Sequence, residues 1–443
     1  MMKQKISEII SNIDEEYIRE ATDYVRIKSR PLIEWIKSKI WLVGLLVLII
    51  FGGTLLPVLF DGNLLKKEPE KLVICTDWST YDEVKDAVSC WKAFGREGFT
   101  IQTEIIRIPS DKVSAEIKIQ ELRTEIMAGK GPDLFIMASN EPYFYHDDYN
   151  AEIHMLFPNP EKAMYSDIFL PLDDYLKNAE FIQTEYCNQV VLQAGQTEEG
   201  QLLLPIIYEY LACIFPDYES EGFTKFPDSW EEIASGKSMQ AALRSQTKYG
   251  LPQAFGKLAD FKNETILVSE EDLLKEVKRA RSEQKTWNNV NAFQVDMYDF
   301  LTTLGTSNKT HSFYPIPNVD GGVTACISVY AGINRNTKVA DEAFFLLDTF
   351  CEMTYSNNTF STRGIFIEQN ELLQIDYRWT LGLQEEDIRS FLEMNEMITT
   401  ARFYSDWDTK LGDLYWGHWT KDAPTAEEAV NELYNDMLMQ VKE

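Results

Sequence analysis

The sequence predicts an α/β fold built on a doubly wound parallel sheet and preceded by a single transmembrane helix. Three observations lead there. Strand-like and helix-like segments alternate from residue 71 to residue 139. A charge-free apolar run lies upstream, at residues 40–60. The chain of 443 residues is 44% hydrophobic and 26% charged, an ordinary globular composition long enough for two domains or one two-lobed unit.

Residues 1–39 read as a cytoplasmic amphipathic leader. Ile6, Ile9, Ile10, Ile13, Tyr17, Ala21 and Tyr24 recur at three- and four-residue spacing, and the helix they imply ends or kinks near Pro31. A partner-binding or membrane-surface helix and a plain leader both fit that pattern. Residues 40–60 (IWLVGLLVLIIFGGTLLPVLF) follow, and a helix of that length spans about 30 Å, the hydrocarbon thickness of a bilayer. The segment before the run is too long for a signal-peptide n-region, and no A-x-A site follows it. No cysteine follows for a lipid anchor, so the run reads as an uncleaved signal anchor. Arg26, Lys28, Arg30, Lys37 and Lys39 precede it against Glu34 alone. The positive-inside rule therefore puts the N-terminus in the cytoplasm and everything after a 61–70 linker outside the cell. The expected location is the cell membrane, single-pass.

The acidity is concentrated outside. The whole chain carries a formal charge of −29, whereas its first 39 residues hold eight basic and seven acidic groups. Such a surface repels polyphosphate and excludes sequence-independent nucleic-acid binding.

The outer region opens with a buried-strand run at 71–77 (KLVICTD). A helix over 81–94 places Val84, Ala87, Val88 and Trp91 on one face. A second strand follows at 100–107, a helix with a Ser-Asp cap at 110–128, and a third strand at 133–139 (DLFIMAS). The order β-α-β-α-β implies parallel pairing. Ligands of such sheets bind at the carboxyl ends of the strands, here at Asp77, Trp78, Ser139 and Asn140.

Catalytic signatures are missing from the sequence. Its four histidines, His146, His154, His311 and His418, have no zinc-ligand spacing. There is no G-x-S-x-G elbow, P-loop or G-x-G-x-x-G turn. Acidic pairs such as Asp173-Asp174 suit glycosidase carboxylates as well as solvated helix faces. Neither an enzyme, a metal nor a cofactor is expected. Cys75 and Cys90 lie on neighbouring elements in a compartment that permits a disulfide, while Cys213, Cys326 and Cys351 sit in apolar contexts that suit buried thiols.

Residues 121–139 (ELRTEIMAGKGPDLFIMAS) resemble the helix–turn–strand of family 1 extracellular solute-binding proteins, the carbohydrate receptors of ABC importers that include the maltose-binding type. The turn has a physical logic: Gly129 can end the helix in a left-handed conformation and Pro132 prevents its continuation. Further segments are similar in the family's order: 169–176 (FLPLDDYL), 200–209 (GQLLLPIIYE), 227–233 (PDSWEEI), 314–334 (YPIPNVDGGVTACISVYAGIN) and 425–442. Two departures stand out. Gln201-Leu202-Leu203 replaces the usual K-x-Y after Gly200, and the membrane span stands in place of a lipobox cysteine.

The resemblance implies a two-lobed periplasmic-binding-protein fold, type II-like, over residues 71–443. Lobe 1 would take about 71–184 and 315–370, and lobe 2 about 185–314 and 371–443. The lobes would close over a small solute, an oligosaccharide, and deliver it to ABC permease subunits. By the same resemblance Tyr208 and Glu209 lie near the lobe crossing, Tyr330 and Gly332 lie on the returning segment, and Trp379, Trp407 and Trp416 resemble aromatics that stack on sugar rings. For each tryptophan, core packing is the alternative reading, and for Tyr208 hinge packing. Other readings of the chain are a ligand sensor signalling through the span to a cytoplasmic partner, a surface glycan-binding protein without transport and, weakest, a glycosidase.

Overall fold

The computed structural model describes residues 71–93, 101–139, 153–216, 229–231, 252–282, 292–295, 311–356, 364–368, 385–416 and 423–442. The expected leader, membrane span and linker over residues 1–70 lie outside them, as do Asn140 and Trp379. Among the described residues no helix is long and apolar enough to cross a membrane.

The first half of the sheet follows from the local pattern. Strand β1 (Lys71–Asp77) leads into helix α1 (Tyr81–Ala93), whose Val84, Ala87, Val88 and Trp91 form the buried face that their spacing predicts. Strand β2 (Gln102–Ile108) starts two residues later than expected. Helix α2 (Lys112–Met127) is capped by Asp111, whose carboxylate accepts from Ser114 N at 2.9 Å. Gly129 and Gly131 then take φ of +70° and +96°, the turn that only glycine adopts without strain. Strand β3 (Leu134–Ala138) follows, and β1 pairs in parallel with both β2 and β3.

Three short helices come next: α3 (Pro160–Ala163), α4 (Asp173–Leu176) and α5 (Gln189–Gln193). A two-residue hairpin, β4 (Gln196–Thr197) with β5 (Gly200–Gln201), precedes the long strand β6 (Leu204–Pro216). Beyond it lie the hairpin β7 (Ala259–Asp260) and β8 (Thr265–Ile266), helix α6 (Glu270–Ser282), and strands β9 (Ala292–Val295) and β10 (His311–Pro315). The second long strand is β11 (Val323–Ile333). Helix α7 (Ala340–Ser356), strand β12 (Ile365–Phe366), helix α8 (Glu385–Glu396), strand β13 (Ile398–Phe403) and helices α9 (Asp406–Trp416) and α10 (Ala426–Lys442) complete the order.

The long strands change partners along their length. The first part of β6 pairs antiparallel with β11 and β12, and its second part with β9 and β10. Strand β11 pairs with β13 through Val323–Ile327 and with β3 through Val329–Ile333. Since β13 runs parallel to β11 and β3 runs antiparallel, these two strands approach the middle of β11 from opposite directions. Their carboxyl ends meet there: Ser139 N donates to Ser328 O at 2.7 Å and Tyr404 N to Ile327 O at 3.2 Å.

Burial separates into two apolar clusters. The larger contains Leu72, Ile74, Leu122, Phe135, Phe157, Phe169, Ile206, Val329 and Leu347. It also takes in Val191 and Leu192 from the 185–314 range and Phe391, Met394 and Ile398 from the 371–443 range. The smaller contains Trp230, Phe255, Leu258, Leu273, Val277, Trp407, Leu411, Val430 and Leu433. Strand β6 contributes to both, Tyr210 to the larger and Leu211 to the smaller.

Candidate functional site

Asp77 ends β1 fully buried, and its carboxylate is occupied by its own chain. One oxygen accepts from Ser79 N at 2.8 Å, from Ser79 Oγ and from Thr80 N at 3.2 Å. The other accepts from Thr80 Oγ1 at 3.1 Å and from Ala138 N at 2.6 Å. These bonds tie the end of β1 to the start of α1 and to β3, satisfying donors that a strand-to-helix turn leaves open. Trp78, half-buried, packs against the larger cluster beside this turn. Ser139 lies at the matching end of β3, fully buried, and its Oγ has no hydrogen-bond partner.

Adjacent strand residues face opposite sides of a sheet, and this divides Tyr208 from Glu209. Tyr208 stacks on Tyr210 with centroids 6.4 Å apart, and Tyr210 donates to Asn395 Oδ1 of α8 at 2.6 Å. Glu209, 2% exposed, takes part in a different group. Its Oε1 accepts from Tyr404 OH and from Gln253 Nε2, the latter at 3.3 Å, and Gln253 Nε2 also donates to Tyr404 OH. Gln253 is 3% exposed and its Oε1 has no hydrogen-bond partner. Three polar groups from β6, from the segment before β7 and from the end of β13 thus converge across β11. A buried carboxylate is tolerated where donors meet it, and a buried acceptor without a donor is an uncommon feature that suits ligand contact.

The remaining expected residues are distributed more widely. Tyr330 is buried edge-on against Phe403 at 5.3 Å, with its phenol pushed up by burial and further by Asp77. Gly332 fills a packing role: a Cβ there would lie 2.8 Å from both Leu203 Cδ2 and Phe169 Cδ1. Trp407, 1% exposed, stacks on Phe261 at 5.5 Å and donates from Nε1 to Gln440 Oε1 at 3.0 Å. Trp416 is the last residue of α9. Asp77, Tyr330 and Ser139 are therefore gathered at the carboxyl ends of β1 and β3, with Glu209 across β11. Trp407 belongs to the smaller core.

Sequence reasoning missed Gln253, Tyr404 and the ion pair beside them. Arg402, 3% exposed, makes a bidentate contact with fully buried Asp408 at 2.6 and 2.7 Å and also donates to Pro252 O at 2.7 Å. Burial alone would lower the guanidinium pKa; the Asp408 carboxylate reverses this and holds it above its ordinary value. Asp408 in turn accepts from Ser405 N and Ser405 Oγ, both at 2.9 Å. The available signal was an arginine inside the apolar alternation of ITTARFYSDW; Gln253 carried none. Among the described residues no cluster of His, Cys, Asp and Glu could hold a metal, and Cys75, Cys90, Cys187, Cys326 and Cys351 are free thiols.

No family model and no curated protein matches the sequence. Among solved structures the chain is similar to a family 1 extracellular solute-binding protein from Alicyclobacillus acidocaldarius, at 13% identity and a TM-score of 0.46, over 85% of this chain and 100% of that one. It is similar to the cyclic alpha-maltosyl-1,6-maltose binding protein of Arthrobacter globiformis at 12% identity and 0.47, over 84% and 100%. It is also similar to a periplasmic oligogalacturonide binding protein of Yersinia enterocolitica at 13% identity and 0.47, over 84% and 99%.

Proposed function

We propose that the chain is a membrane-anchored extracellular receptor that captures a small solute, an oligosaccharide, between two closing lobes and delivers it to an ABC importer. The observation that carries this reading is the meeting of the carboxyl ends of β3 and β13 against β11, beside Glu209, Tyr404 and Gln253. Carboxyl ends of strands are where open α/β sheets take ligands. Ser139 ends a strand of the larger cluster, whereas Gln253 immediately precedes Ala254 and Phe255 of the smaller one. A solute touching Ser139 or Trp78 on one side and Gln253 on the other gains contacts only when the sides approach. That difference in affinity is what drives closure. Glu209 and Gln253 supply acceptors for sugar hydroxyls, and half-buried Trp78 supplies an aromatic face for the C–H side of a pyranose.

The span at residues 40–60 and its basic flank motivate the anchor and the extracellular location. The amphipathic leader supports a second reading, in which closure is signalled to a cytoplasmic partner; an unchanged ligand response after deletion of residues 1–30 would remove it.

A thermal-shift screen of the chain against mono- and oligosaccharides tests the main reading. A ligand at 100 times its dissociation constant stabilises the fold by about 2.7 kcal/mol. The expected result is an oligosaccharide hit that is lost in Glu209→Gln and weakened in Tyr404→Phe. A hit that both variants retain unchanged, or no hit across the panel, would discard the site.

A further inference from the structure

The place of the Gln253 amide is set by a turn. Phe255 N donates to Pro252 O at 3.4 Å, closing a four-residue turn in which Gln253 is the second residue. That bond is long. The same carbonyl accepts from Arg402 Nη2 at 2.7 Å, a shorter and charge-assisted contact. On the other side of the turn Val319 N donates to Ala254 O at 2.8 Å. The backbone on both sides of Gln253 is therefore held from outside the turn, and Arg402 holds the side that leads into it.

The register of the sheet explains how one arginine reaches this turn. Cys326 of β11 pairs with Glu209 of β6 on one side and with Arg402 of β13 on the other. Glu209, Cys326 and Arg402 thus form a row across three strands, on one face of the sheet. Tyr404, two residues beyond Arg402, shares that face. Gln253 is consequently met twice from the same face: Glu209 and Tyr404 accept from its Nε2, and Arg402 donates to the carbonyl just before it. Arg402 is itself fixed, since Asp408 Oδ1 and Oδ2 accept from Nη2 and Nη1 at 2.6 and 2.7 Å. Its hydrogen bonds go to Pro252, Phe403 and Asp408, so it acts on Gln253 through the backbone.

We propose that Arg402 is a positioning residue of the solute site. By holding the 252–255 turn it aims the Gln253 Oε1 acceptor and so selects which solute hydroxyl is bound beside Glu209. This role rests on the solute-capture reading, but the aiming of Gln253 is measurable in the solute-free protein.

NMR of isotope-labelled glutamine side chains in the full-length protein tests it, with the Gln253 signal assigned by its loss in Gln253→Ala. In the wild type the Gln253 Nε2 protons should exchange with water at least tenfold more slowly than those of an exposed glutamine. The paired variant Arg402→Met/Asp408→Asn leaves no charge of the pair buried alone. In it the Gln253 protons should exchange at least tenfold faster, while the Trp230 indole N–H, bonded to Glu276 at 2.8 Å in the smaller core, keeps its wild-type rate. Arg402→Lys, which keeps the charge opposite Asp408 but lacks the planar fork that serves both partners, should give the same contrast. Equal acceleration of Trp230 would mean general loosening and overturn the proposal, as would an unchanged Gln253 rate in both variants. Calorimetric titration with maltotriose reads the consequence for binding. Gln253→Ala and Arg402→Lys should each weaken it at least tenfold, and together no more than either alone, because one acts through the other. Losses that multiply overturn the positioning role. No binding of maltotriose by the wild type would instead count against capture of that sugar, and the exchange rates decide the role of Arg402 independently.

Discussion

Replacing Asp408 by Asn tests how the junction beside the site is held together. The side chain keeps its shape, and its remaining oxygen can still accept from Ser405 N and Ser405 Oγ, now at 2.9 Å. The substitution removes the negative charge facing Arg402, which is 3% exposed and bonded at 2.6 and 2.7 Å. Arg402 cannot turn to water, because the same guanidinium also donates to Pro252 O at 2.7 Å. Breaking a buried pair from one side costs about 3–5 kcal/mol, chiefly because the other charge stays buried and uncompensated. At 1.36 kcal/mol per decade, that is a fall of about 10²–10⁴ in the folding equilibrium. Arg402→Met should cost a comparable amount, since it strands the Asp408 carboxylate with only the Ser405 donors. The double variant removes both charges, so its cost should fall short of the sum by about 2 kcal/mol or more. Urea denaturation followed by tryptophan fluorescence measures all three, with Trp407 one residue from the pair as a local probe. Single costs under about 1 kcal/mol that simply add would refute the reasoning, for they would mean that the two groups are solvated in the folded protein.

Two other outcomes are expected. Glu368 accepts from Gln183 N at 3.4 Å, yet its pKa is pushed from 4.5 to about 7, first by burial and then by Glu352, Asp348 and Glu185. Because the folded state holds this proton more tightly than the unfolded one, stability should fall as pH rises from 4.5 to 7 and level off above. Glu368→Gln should remove that slope and gain about 1 kcal/mol at pH 8, a figure discounted because the side chain is only partly buried. A slope unchanged in Glu368→Gln would assign it to other groups. Gly332→Ala should cost about 1–3 kcal/mol through overpacking against Leu203 and Phe169, each 2.8 Å from the added carbon, without altering solute affinity. An unchanged melting temperature would show that the two side chains yield freely.

The first three strands and the helices between them were legible because each decision there is local. In residues 71–139 the apolar period, the Asp111 cap and the glycines at 129 and 131 all point one way, and the resulting elements shift by only a residue or two. The second half resisted because its order is set by distant partners. Nothing within LPIIYEYLACIFP marks Tyr210 as the place where β6 gives up β11 for β9 and β10. The same holds for β13. Its role depends on meeting β3 end to end, and that meeting exists only once both have paired with β11.

The candidate site shows the difference between knowing where a residue lies and knowing what its atoms are free to do. Asp77 was placed at a strand end by its position, and it is there. Its carboxylate nonetheless spends itself on Ser79, Thr80 and Ala138, a use that the run Asp77-Trp78-Ser79-Thr80 announces, since an aspartate followed by hydroxyl residues two and three places on tends to bond its own turn. Glu209 was named only by resemblance, and its neighbours are what give it chemical meaning. A carboxylate alone at 2% exposure would be costly, whereas one met by Tyr404 and Gln253 is stable and directional. Neither neighbour could be read from spacing, because Gln253 and Tyr404 are 151 residues apart and share no motif. Such a trio is therefore a better guide to the function than any of its members. It forms only when β6, β11 and β13 are assembled, so a change in how those strands sit is felt at once by the groups that would hold the solute.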